Sequence, residues 1–246
     1  MISTSACYKM DSGLYMLSGR DIDFIGNMMA SGFDQTIIDH AHPFAIEDYV
    51  EIEQEYNVDY FCLTPERSIL GCAVPFGGVI PAWNISKNEY EDKYVLPNTV
   101  VIDERLVTSD DEKDRLTLRF VMAHELMHLL FQKNYLRMTK GKLPYLHTDE
   151  NHYRTRLSIN FNDDDLCEWQ ANRGAISLLM PLQSVQKHIK KMKDILPGYD
   201  MFPEVMIREI ARTYQVPREL AYYRLVDLPI FQYYFGKVNL KDLQLD

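Results

Sequence analysis

The residues best suited to chemistry are His124, Glu125 and His128, which spell HExxH near the middle of the chain. Residues four apart on a helix share a face one turn apart. Two imidazoles at that spacing can converge on a single zinc ion while Glu125, at the adjacent position, reaches a water on the ion. Zinc would lower the pKa of that water toward neutrality and polarise a scissile carbonyl. Glu125 would take the water proton and later pass it to the leaving amine. A chance HExxH would be surface charge on an ordinary helix. Here Phe120, Val121, Met122 and Ala123 precede it and Leu129, Leu130 and Phe131 follow. Unpaired His and Glu would be costly to bury in such a segment, which favours a metal site.

Zinc of a hydrolytic kind needs a third protein ligand and an open fourth position. The extended pattern HExxHxxGxxH is not met, because Phe131 stands at the glycine position and Asn134 at the last histidine. The candidates are Glu168, with Asn172 and Ala175 on its helix face, and the loop residues His147 and His152. A helix holds a ligand more rigidly than a long loop does, which favours Glu168. Spacing alone leaves it equally readable as an ordinary first-turn Glu complementing the helix dipole.

These residues need elements to position them. Periodicity predicts short helices over residues 20–29 and 45–55. Alternation then predicts strands around 58–62 and 69–74, joined by a turn at TPERS, and two more at 79–83 and 100–103. Ser109 and Glu112 form a capping-box signature for a long helix reaching Phe131, with Leu116, Phe120, Ala123, Met127 and Leu130 as its apolar stripe. Residues 132–165 read as a polar excursion with one strand or hairpin arm in the alternation of Tyr153, Thr155, Leu157, Ile159 and Phe161. That arm is a candidate for pairing with an extended substrate by strand addition. Tyr153, His152 and His147 are candidates for stabilising an oxyanion. Asp163 to Asp165 cap a second helix over 166–180, stopped by Pro181. Helices over 182–194, 203–214 and 217–226 follow, the last two joined by a short turn in a helix-turn-helix-like outline.

The run RFVMAHELMH (119–128), then EWQAN (168–172) and LLMP (178–181), resembles the ImmA/IrrE family of metallopeptidases. The resemblance is firm over residues 115–181 and looser over 20–228. It implies a zincin-like α+β fold, mainly helical, with a small sheet in the N-terminal half and a helix-turn-helix-like C-terminal segment. It implies His124 and His128 as zinc ligands, Glu168 as the third and Glu125 as the catalytic base, with one zinc per chain. His and carboxylate ligands accept other divalent metals as well. The implied activity is site-specific cleavage of a regulatory protein, typically a helix-turn-helix repressor of a mobile element or stress response. The rival is a non-catalytic, zinc-containing regulator that binds a repressor or DNA. Where the family usually has glycine this chain has Met127, which predicts altered packing at the motif helix. The long spacing from His128 to Glu168 makes residues 133–162 an insertion or flap. The expected organisation is an N-terminal extension (1–19), a metallopeptidase domain (20–181) and a helical C-terminal region (182–246).

Composition narrows the partners. The 246 residues, 46% hydrophobic and 25% charged, suit a folded globular protein of one large domain, alone or with a small appendage. A net charge of −10 disfavours nucleic acid as the main partner. In the C-terminal segment Glu204, Glu209 and Glu219 offset Arg208, Arg212, Arg218 and Arg224, which favours bracing or protein contact over DNA. The uncharged run 70–83 is too short to cross a bilayer and is broken by Gly and Pro. The first twenty residues lack the pattern of a signal peptide, so the expected location is the cytosol. Cys7, Cys62, Cys72 and Cys167 form no CxxC pair and are expected as buried free thiols.

Overall fold

The computed structural model describes residues 8–138, 146–149, 162–195, 203–239, 241 and 243. In chain order the elements are β1 (Tyr8–Lys9), β2 (Tyr15–Met16), α1 (Gly19–Phe33), α2 (Ile46–Asp48), β3 (Asn57–Phe61), β4 (Ile69–Val74), β5 (Gly78–Asn84), β6 (Glu89–Val95), β7 (Thr99–Asp103), α3 (Glu104–Thr108), α4 (Glu112–Phe131), α5 (Lys133–Met138), β8 (Leu146–Asp149), α6 (Asp163–Leu179), α7 (Leu182–Ile195), α8 (Pro203–Tyr214), α9 (Arg218–Val226) and α10 (Pro229–Phe235). This is a mainly helical α+β fold with a small mixed sheet, as the sequence implied. No described helix is long and apolar enough to cross a membrane.

The sheet runs in the order β3-β7-β4-β8. β3 is parallel to β7, with Asn57 opposite Thr99, and the remaining pairs are antiparallel. β3 and β4, neighbours in sequence, are therefore separated by β7. The turn between them is an ordered loop in which the Thr64 hydroxyl accepts from the Ser68 and Ile69 amides at 2.9 and 3.2 Å. β7 is buried on both faces, which is why its sequence TVVID shows no polar alternation. Val100 and Ile102 face the helical core. Val101 faces the β5–β6 hairpin, where it meets Ile80 and Val95.

α4 lies between the sheet and α6, so every residue from Phe120 to Leu129 is buried. The five-residue stripe expected for it is too narrow, and its end members Leu116 and Leu130 are only half-buried. Asp111 caps this helix, accepting from the Lys113 amide at 2.9 Å. Ser109 does not, because it ends the preceding helix α3. The segment expected as one helix over 45–55 is a single α turn running into a π-helix at Tyr49–Glu53. α6 begins with a full capping box, Asn162 with Asp165, one residue earlier than the acidic triplet suggested. β6, α5 and α10 carried no clear sequence signal. The strand of the excursion that the structure describes is β8. The alternating arm 153–161 lies outside the described residues.

A core running from Leu17 to Phe231 joins the motif helix to the C-terminal helices. In it Ala211, Tyr214, Val216, Leu220 and Leu225 are buried. α8 and α9 are joined by Gln215, Val216 and Pro217, with Gln215 in the left-handed region at φ 51°. Arg119 of α4 reaches this turn, donating to the Gln215 carbonyl at 3.1 Å and to the Phe44 carbonyl at 2.7 Å. Arg224, 1% exposed, donates to Asp23 of α1 and to the Met180 carbonyl at 2.9 Å. Arg212 pairs with Glu209 at 2.6 Å. Arg224 thus ties this segment to α1 and to the end of α6, whereas Arg212 pairs within its own exposed helix face.

Candidate metal centre

α4 turns His124 and His128 toward α6, and α6 turns Glu168 back toward them. Their side-chain donor atoms all lie within 4.8 Å of one another. The two imidazole Nε2 atoms are 2.8 Å apart, and the Glu168 carboxylate oxygens lie 3.4 Å from His124 Nε2 and 3.5 Å from His128 Nε2. Both histidines are fully buried, while the Glu168 side chain is 22% exposed and forms the open side of the cluster.

The other ring nitrogens determine what the cluster can bind. His124 Nδ1 lies 3.0 Å from Asn172 Oδ1, and His128 Nδ1 lies 2.7 Å from Gln132 Oε1. An amide oxygen only accepts, so each Nδ1 carries the proton and each Nε2 presents a lone pair. Two lone pairs and a carboxylate then face one point, an arrangement that repels itself unless a cation sits there. Neighbouring ligands of a tetrahedral zinc at ~2.05 Å are about 3.3 Å apart. Both His–Glu distances match that, and the His–His distance needs to open by roughly half an ångström. The donor set fits a zinc ion: two neutral imidazoles, each held by an outer hydrogen bond, and one carboxylate. It is the one such cluster among the described residues.

Glu125, fully buried, comes up against β4. The strand can come this close because residue 71 is glycine. A Cβ there would sit 2.8 Å from Glu125 Oε1 and 2.9 Å from its Cγ. The neighbouring Cys72 thiol has its pKa pushed well up, by burial first and then by the Glu125 charge. Met127 packs away from the sheet against Gly174 of α6, where a Cβ would meet the methionine at 2.7 Å. The altered packing expected from Met127 is therefore taken up by a glycine on the facing helix.

The structure brings together His124, His128 and Glu168 of the residues singled out in the sequence. His147 lies on β8 but its side chain is outside the described set, as is all of His152 and Tyr153. Cys62, Cys72 and Cys167 are buried free thiols, and Cys7 is outside the described residues. Gln132 is the contact that motif reading missed. Its signal was its place at the next step of the ladder 124, 128, 132.

A helix-borne HExxH facing a carboxylate from a second helix has the components of a metal-dependent hydrolytic site. Residues 84–226 match the family model described as the IrrE N-terminal-like domain, peptidase M78. The match spans more than half of the chain, which belongs to this peptidase family. A search of curated proteins returned no match.

Proposed function

We propose that the chain is a zinc-dependent endopeptidase that cleaves a regulatory protein, a helix-turn-helix repressor of a mobile element or stress response. The observation that carries this reading is the convergence of the His124 and His128 Nε2 lone pairs with the Glu168 carboxylate. Membership of a peptidase family supports peptide hydrolysis. The resemblance to ImmA/IrrE proteins supports a repressor as substrate. The burial of Arg224 against Asp23 takes one of the segment's arginines out of reach of nucleic acid, which supports a protein partner. The reading places the chain in the cytosol, where a DNA-bound repressor is met.

The roles follow from position. His124, His128 and Glu168 would hold the ion, which supplies Lewis acidity toward a water and a peptide carbonyl. Asn172 and Gln132 keep the two imidazoles in the tautomer that offers Nε2. Glu125, on the same helix but outside the ligand set, is the general base that takes the water proton and returns it to the leaving amine.

The test combines elemental analysis with a cleavage assay on helix-turn-helix repressors offered as substrates. One zinc per chain is expected in the wild type, lost in His124→Ala and weakened in Glu168→Ala. Glu125→Gln should keep the zinc and abolish cleavage. A Glu125→Gln variant that still relieves repression would establish the rival reading, a regulator acting by binding. A wild type that takes up no divalent metal after reconstitution would overturn both.

A further inference from the structure

We infer that Gln132 is a positioning residue that fixes the ring of His128 and the spacing between His128 and Glu168 through one amide group. The inference rests on the metal-site reading above and adds a residue to it.

Gln132 is the first residue past α4, and its backbone amide still donates to the His128 carbonyl at 3.1 Å. Its side chain turns inward and is fully buried. Oε1 accepts from His128 Nδ1 at 2.7 Å, while Nε2 donates to the Cys167 carbonyl at 3.2 Å. Cys167 immediately precedes Glu168, so one planar group links a ligand on α4 to the backbone beside a ligand on α6.

The orientation of the amide is determined. Rotated by half a turn, its NH2 would face a protonated Nδ1 and its oxygen would face the Cys167 carbonyl, leaving donor against donor and acceptor against acceptor. With the Cys167 carbonyl requiring the NH2, the oxygen must face His128, and the imidazole is held with its proton on Nδ1. A carboxylate at this position would satisfy His128 but not Cys167. An apolar side chain would satisfy neither. Asn172 also crosses from α6 to α4 but contacts only His124, whereas Gln132 holds a ligand one turn before it in sequence and reaches the backbone beside a second ligand.

The experiment uses the full chain as wild type, Gln132→Met and Gln132→Glu. Zinc affinity is read by competition with a chromophoric chelator, imidazole tautomers by long-range proton–nitrogen NMR on metal-free protein, and folding by thermal melts. The expected results for Gln132→Met, which preserves side-chain bulk, are a mixed His128 tautomer, an unchanged His124 tautomer and zinc binding about 10- to 100-fold weaker. Gln132→Glu should restore the Nδ1–H tautomer without restoring wild-type affinity. A folded Gln132→Met with wild-type tautomers and affinity would overturn the inference, as would a lowered melting temperature with both readouts unmoved. If Gln132→Met fails to fold, wild-type affinity in Gln132→Glu overturns the spacing role. A wild type that binds no zinc refutes the metal reading instead, and the tautomer measurement still decides what Gln132 does to His128.

Discussion

Replacing Asp23 with asparagine removes one negative charge from the junction of α1, α6 and α9 while keeping the side chain's shape. The Asp23 carboxylate accepts from the Ser177 hydroxyl at 2.6 Å, from Arg173 Nη2 at 3.0 Å and from Arg224 Nη1. Arg173 has a second carboxylate in Asp227, which is half exposed. Arg224 has no such alternative among the described residues; its other acceptor is the neutral Met180 carbonyl at 2.9 Å. Removing one partner of a buried ion pair destabilises by about 3–5 kcal/mol, and the contacts that survive here point to roughly 3 kcal/mol. At 2–4 °C per kcal/mol for a chain of this size, the melting temperature should fall by about 6–12 °C. Urea titrations of wild type, Asp23→Asn, Arg224→Met and the double variant measure it directly. The double variant should recover much of the loss, since no charge is then left without its counter-ion. The pH dependence has a definite sign. Burial pushes the Asp23 carboxyl up, but the Arg224 charge, the Ser177 hydrogen bond and the Arg173 charge outweigh it, and its pKa lies below the ordinary 3.8. The stabilisation is therefore complete above pH 3.8 and disappears as pH falls through the folded value. The gap between wild type and Asp23→Asn should be full at pH 7 and narrow in acid below 3.8. A loss under ~1 kcal/mol at pH 7, or a double variant no better than the sum of the singles, would refute the reasoning.

Gly71→Ala should lower stability by about 1–3 kcal/mol through overpacking against Val121 and Glu125. Zinc affinity should stay near wild type, because the ligands face α6; a parallel loss of zinc would contradict the placement of Glu125 on the strand side. Tyr214→Phe removes the hydroxyl that lies 2.8 Å from Ser184 Oγ in the core. Ser184 still reaches the Ile37 carbonyl at 2.5 Å, so the expected loss by denaturant titration is about 1 kcal/mol, and a loss above ~3 would show a larger role. Stripping metal with a chelator should lower the wild-type melting temperature, since an ion held at a thousand times its Kd adds about 4 kcal/mol. The same treatment should leave His124→Ala unmoved, and equal shifts in the two proteins would place the bound metal elsewhere.

What the sequence determined by itself is what chain geometry enforces over a few residues. The spacing of His124 and His128 puts both on one helix face whatever surrounds the helix. β4 falls on its apolar run, and α8 starts at Pro203 and ends at Tyr214, within reach of Pro217. The acidic triplet Asp163 to Asp165 marks the start of α6 to within one residue, because a cap forms through contacts three residues apart. Glu168 was legible as one of three candidate ligands. What the tertiary structure alone decided is which surfaces meet. The insertion of β7 between β3 and β4 depends on parallel pairing across some forty residues, which no local pattern encodes. β6 escaped notice because the sequence EYEDKYV buries only its last residue. Gly71 and Gly174 show their function only once a second helix or strand lies against them. Gln132 reads as a polar residue past a helix end until the Cys167 carbonyl is placed beside it. Asp23 meets Arg173 and Arg224 across 150 and 201 residues, and that pairing arises because three helices bury the groups together and each charge needs the others.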